Sequence, residues 1–124
     1  MKMSDLVGKI FVSVENQDNE RVYFKSDEGQ SYVMYHSQDC CESVYLEDIA
    51  GDLHDLENTP ILEAREDSSH DVHPEGILPP TDYSPDSFTW TFYNFRTIKG
   101  SVTLRWYGSS NGYYSESVDI EECE

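Results

Sequence analysis

Apolar and polar residues alternate with a period of two along most of this chain, which is the signature of half-buried β-strands. Over 9–15, Ile10, Val12 and Val14 alternate with Phe11 and Ser13. Over 21–26, Val22 and Phe24 alternate with Tyr23 and Lys25. The Asp27-Glu28-Gly29-Gln30 stretch has turn chemistry, so 31–36 is the return strand of a hairpin. The next segment fits two periods. Tyr45, Ile49, Leu53 and Leu56 mark a helical face, while Val44, Tyr45 and Leu46 also fit a strand. Gly51 interrupts a continuous helix, so the prediction is a strand over 43–49 followed by a short helical turn over 51–57. Pro60 opens a strand over 61–66, and three more follow over 88–97, 101–107 and 113–120.

The last two strands pose a question of register. Asn111-Gly112 resembles a two-residue type I′ turn, which would pair Ser110 with Tyr113, Trp106 with Ser117 and Leu104 with Asp119. That pairing sets Val102, Leu104 and Trp106 beside polar residues. A slip of one residue pairs Leu104 with Val118 and Val102 with Ile120, and a slip of one reverses every side chain. Burial favours the slipped register, with a longer loop across 109–112 and Gly112 left-handed or bulged.

Together these elements predict a mainly β (β-rich α+β) fold. It is a strongly twisted antiparallel sheet of about seven or eight strands, as two layers or a partial barrel, with one short helical turn. On strand 88–97, Trp90 and Phe92 fall on one face and Tyr93 and Phe95 on the other. Both faces therefore need cover, from a second layer, the acidic segment or another subunit, and a homodimer is one such arrangement.

Length fits a single domain over residues 1–124. Residues 67–87, rich in Asp, Ser, His and Pro, read as a mobile acidic, Pro-rich loop. Charge changes the picture most. The chain carries 25 acids against 8 bases, a formal net charge of −17. Fourteen of those acids fall within 37–87, where the only Lys or Arg is Arg65; Glu116 is the lone acid within 88–118. Such a chain lacks the clustered Lys and Arg needed for nucleic acid or an anionic membrane, and it suits a basic protein surface or a cation. No run is long and apolar enough for a membrane span, and the first residues lack a signal-peptide pattern, so the expected location is cytoplasmic. Cys40, Cys41 and Cys123 follow no disulfide framework, and neighbouring cysteines rarely bridge, so three free thiols are expected.

Four groups of residues have candidate chemistry. The acids Glu47, Asp48, Asp52, Asp55 and Glu57 form a candidate partner-binding face, since spread carboxylates imitate phosphates and can occupy a basic groove; a plain solvated face is the alternative. His36, Cys40 and Cys41 are weak metal candidates, because the spacing lacks paired zinc-ligand motifs. His70 and His73 have a suitable mutual gap but lie in the long loop. The same His36 cluster, with Asp39, is a candidate thiol centre without a family signature. His36, Arg105, Tyr107, Asn111, Tyr113 and Tyr114 form a candidate pocket for a small molecule or signalling nucleotide. No catalytic motif or phosphate loop is present, and no cofactor is expected.

The segments Met34-Tyr35-His36-Ser37-Gln38-Asp39-Cys40-Cys41-Glu42-Ser43-Val44, Thr89-Trp90-Thr91-Phe92-Tyr93 and Trp106-Tyr107-Gly108-Ser109-Ser110-Asn111-Gly112-Tyr113-Tyr114-Ser115-Glu116 resemble a family of small uncharacterised proteins from bacteriophages and bacterial mobile elements. The resemblance spans about 6–119 and carries no assigned activity. It implies a phage-type protein acting inside a bacterial cell. The expectation is therefore a non-enzymatic binding protein that inhibits or modulates a bacterial host protein, a defence protein among them, by occluding a basic surface.

Overall fold

The computed structural model describes residues 2–77, 79–80 and 85–123. It is a two-layer β structure without barrel closure. One antiparallel sheet has the order β1-β2-β3-β8, from β1 (Phe11–Gln17), β2 (Arg21–Ser26), β3 (Ser31–Tyr35) and β8 (Asp119–Cys123). The other has the order β4-β7-β6-β5, from β4 (Ser43–Ala50), β5 (Glu63–His70), β6 (Ser87–Thr97) and β7 (Gly100–Ser110). Two 3₁₀ turns, Met3–Leu6 and Leu53–Leu56, are the only helical elements among the described residues. The second lies where a short helical turn is predicted.

The core forms where the inward rows of the two sheets meet. Val14, Val22, Phe24, Tyr32 and Met34 come from one sheet, and Leu46, Tyr93, Phe95, Val102, Leu104 and Trp106 from the other. Trp106 is fully enclosed, and its indole N–H points at the Met34 sulfur, 3.3 Å away. The predicted hairpin forms between β2 and β3, with Val22 opposite Met34 and Phe24 opposite Tyr32.

The first strand departs from simple alternation. A bulge between Phe11 and Ser13 shifts the register, so Phe11 and Val14 both point inward while Val12 is 44% exposed. A bulged strand carries one extra residue, which reverses the faces on one side of it. A second bulge, between Leu46 and Asp48, does the same on β4 and brings Leu46 and then Ile49 to the core.

The expected pairing of the last two strands is corrected. β7 extends to Ser110 and pairs with β6 on one side and β4 on the other. Residues 113–118 are not a strand, and β8 crosses to the other sheet, where Ile120 lies opposite Met34. Val102, Leu104 and Trp106 thus meet their apolar partners across the core rather than along a hairpin. The local β6–β7 hairpin takes precedence, because its turn is only Ile98-Lys99 and eleven residue pairs follow in unbroken register. Gly112 is left-handed, as expected (φ 91°).

The expected loop over 67–87 is shorter than its composition suggests, because Asp67–His70 complete β5. Polar residues suffice there since β5 is an edge strand, with β6 on one side only. The N–H of Asp71 donates to the Phe88 carbonyl, and the Phe88 N–H to the Asp71 carboxylate, which closes the base of the remaining loop. The expected mobility at Leu78 and at 81–84 lies outside the described residues. The second face of the sheet is covered by this same segment: His73 stacks on Phe88 at 4.2 Å and accepts the Trp90 indole N–H. Among the described residues no helix is long and apolar enough to cross a membrane.

Gly51 sits with φ 104°, and a Cβ there would meet the Ser101 carbonyl oxygen at 2.5 Å, so this turn admits only glycine. The bulge in β1 makes a sharp prediction. Trp106→Ala should cost about 3–5 kcal/mol, whereas Val12→Ala should cost less than about 1 kcal/mol despite its place in a strand. Urea unfolding of both variants checks this; a large Val12 effect would contradict the register.

Candidate functional site: the loop end of the sandwich

The long connections 36–42, 71–86 and 111–118 emerge from one end of the two sheets, since Tyr35, Ser43, His70, Ser87, Ser110 and Asp119 are the strand termini there. Two buried carboxylates organise this end. Glu42 is 4% exposed, and its oxygens face four donors. Oε1 accepts from the Cys40 N–H at 2.8 Å and from the Gln38 amide at 3.0 Å. Oε2 accepts from the Asp39 N–H at 3.1 Å and lies 2.9 Å from His36 Nε2. Burial pushes this carboxyl upward, but the Cys40 N–H, His36 and further backbone N–H groups outweigh it and hold the group down at about 2.

His36 links the two crossings between sheets. Its Nε2 faces Glu42, and its Nδ1 lies 2.6 Å from the Ser117 carbonyl oxygen. Both ring nitrogens are thus engaged, one by each crossing. The second buried acid is Glu116, 8% exposed, which accepts from the Thr89 hydroxyl at 2.7 Å and from the Ser110 hydroxyl. His70 Nδ1 lies 2.9 Å from Thr89 Oγ1, so a chain of hydrogen bonds runs from the exposed His70 to the buried Glu116. The polypeptide fits closely here because Gly108 has no side chain: a Cβ would meet the Glu116 Cβ at 3.0 Å. Beside this chain opens a cleft of about 490 Å³, lined among others by His70, Asp71, Asp86, Tyr114 and Glu116. Three acids and one histidine make it a cleft for a cation or a neutral hydrogen-bonding group.

The sequence-predicted residues are distributed as follows. His36 is locked between Glu42 and Ser117, and the sulfurs of Cys40 and Cys41 are joined, which corrects the expectation of free thiols there; Cys123 is free. The tight turn that Gln38 and Glu42 fasten brings the two sulfurs side by side. Among the described residues, no group of three or more His, Cys, Asp and Glu side chains is placed to hold a metal ion. The predicted small-molecule set is not brought together. Arg105 bonds to Glu47 and Asp48 and lies over the Trp90 ring. Tyr107 is buried against Trp90 and Tyr45. Tyr114 and Asn111 line separate clefts, and Tyr113 is 84% exposed with its ring edge-on to Tyr114.

The acidic set runs from β4 toward the opposite end. Glu57 accepts the Val14 N–H at 2.9 Å and pairs with His54, which holds its carboxyl below the usual range; Glu47 is turned onto Arg105. Asp55 lies 3.1 Å from where a Gly100 Cβ would sit. Asp48 and Asp52 are the solvent-facing members. Sequence reasoning missed the His70–Thr89–Glu116 chain, whose members lie far apart along the chain. The one available signal was Glu116 itself, a single acid in a strand-rich stretch otherwise free of them.

The chain matches, over residues 4–120, the family described as Domain of unknown function (DUF7448), and it belongs to that family. No curated protein and no solved structure matches it.

Glu42 gives a pH prediction with a definite sign. A carboxyl depressed in the folded state contributes stability above its usual value of 4.5, and this contribution is lost as pH falls toward about 2. Wild type should therefore exceed Glu42→Gln in stability by a constant margin above the upper value, with the margin closing toward the lower one. Urea unfolding of both proteins across this range reads the difference; a margin independent of pH would contradict the ionised, buried carboxylate.

Proposed function

We propose that this chain is an acidic, phage-type binding protein that acts in the bacterial cytoplasm by occluding a basic surface of a host protein, a defence protein being the kind of target. The observation that supports this most is how the few bases are used. Arg105 is held by Glu47 and Asp48, Arg96 by Glu63, and Lys99 by the Glu57 carbonyl. These three bases are thus turned onto oxygens of the chain itself, while Asp52, Asp71 and Asp86 face solvent. A folded body with a formal charge of −17 projects a field that steers a basic partner into contact and weakens with salt.

The rival readings have less in their favour. A signalling nucleotide needs cationic groups, yet Arg105 is already engaged, and the cleft beside Glu116 has Asp71, Asp86 and Glu116 in its lining and no Lys or Arg. A thiol centre at Cys40 and Cys41 lacks a free base, since His36 is engaged by Glu42 and by the Ser117 carbonyl. On the aromatic face that suggested a homodimer, Phe88 and Trp90 pack against the chain's own His73.

Affinity capture from bacterial extract tests the proposal. A discrete host protein should be retained at about 50 mM salt and largely released at about 300 mM. Asp48→Asn combined with Asp52→Asn should weaken that retention about threefold to tenfold without loss of fold, since asparagine still caps a helical turn. Retention that is indifferent to both salt and neutralisation would refute electrostatic docking.

A further inference from the structure

One side of the sandwich is bridged by backbone pairing; on the other the Met3–Leu6 turn packs against β5, Met3 joins the lining of the space beside it, and the outer edge of β8 is unpaired among the described residues. On the β1/β4 side, the Leu46 N–H donates to the Asn19 carbonyl, and bridges join Ile10 to Pro60 and Phe11 to Glu57. On the other side β8 and β5 are the outermost strands, and a groove of about 480 Å³ runs between them. Four successive residues, 118–121, line it, so it follows the edge of β8 rather than one side chain. Its floor is apolar, from Tyr93, Val118 and Ile120, and its rim carries Glu66, Asp119 and Glu121. Lys2 is the only base among its lining residues. Tyrosine hydroxyls already orient two of the carboxylates: Tyr93 points to Glu66 at 2.7 Å and Tyr35 donates to Glu121 at 2.8 Å.

We propose that this groove receives an extended, lysine- or arginine-bearing segment of the partner protein, which adds as a strand to the free edge of β8. The inference rests on the basic-partner reading above and gives it a location. An open edge offers unpaired N–H and C=O groups to any extended chain. The acidic rim makes that offer selective. It repels a second copy of this chain, as well as any acidic strand, and attracts a basic one. The apolar floor suits the long methylene stems of Lys and Arg, which lie on apolar surface while the charged ends reach the rim. Charge complementarity and backbone pairing thus act on the same segment.

A peptide of about nine residues alternating lysine and valine is the probe, with a counterpart N-methylated at every backbone nitrogen, which has no N–H to donate along either edge. Amide exchange of the isotopically labelled protein should slow over 119–123 when the first peptide binds. The N-methylated peptide should bind about tenfold more weakly. Asp119→Asn with Glu121→Gln should weaken the first peptide about tenfold, while Asp48→Asn with Asp52→Asn should change it by less than about twofold. If both peptides bind equally, or protection appears away from β8, the groove assignment is overturned while charge-driven docking stands. If neither peptide binds at low salt, the groove assignment is overturned too, and the capture experiment judges the wider reading separately.

Discussion

A two-layer sheet protein has to be fastened where the chain passes from one layer to the other, and here buried glutamates do the fastening. The chain crosses twice, through 36–42 and through 111–118. Glu42 draws the first crossing around its own carboxylate, and Glu116 pins the second to β6 and β7 through Thr89 and Ser110. His36 joins the two by reaching from Glu42 to the Ser117 carbonyl. A buried carboxylate is costly unless its lone pairs are filled, and both sites fill them with nearby hydroxyl, amide or ring donors. The order of the strands in both sheets depends on these crossings holding.

This use of acids separates two populations that composition alone merges. A few carboxylates are structural: Glu42 and Glu116 are enclosed, and Glu57 ties the second 3₁₀ turn to β1 through the Val14 N–H. Most of the other acids among the described residues are exposed, and the arginines and lysines do little to neutralise them. Exposed ion pairs such as Arg96 with Glu63 contribute little to stability, because water and salt screen them. Their larger effect is to remove the positive charge that would otherwise break up the acidic surface.

The period-two pattern made the strands legible, because each buries one face, and residues such as Val22, Phe24, Tyr32 and Met34 alternate cleanly. Both bulges were invisible in that pattern, since an inserted residue shifts the faces without changing residue types, as at Val12 and Glu47. The pairing of β8 was illegible for a different reason. Ile120 and Val118 fit Leu104 and Val102 equally well along a hairpin or across a core, and only the crossing at 111–118 distinguishes the two. The buried glutamates were hidden because an acid in an acidic chain reads as surface. His36 and Glu42 stood out as a polar cluster, yet their mutual engagement depends on a turn that brings four residues as donors around one carboxylate.

Surface acidity and the strength of the fold are linked through any partner that neutralises the charge. Like charges on a compact body repel one another, so the unneutralised surface lowers the stability that the core and the two crossings provide. A basic partner relieves this repulsion as it binds, and a ligand that binds only the folded state raises its stability in proportion to occupancy and affinity. The free chain is therefore under greater electrostatic strain than the bound one. Salt relieves the same repulsion by screening, and it weakens the attraction to a basic partner as well. Higher salt should thus strengthen the fold of the free chain while loosening its complexes. These opposite responses separate a surface charged for recognition from one charged for solubility alone, where only the first response exists.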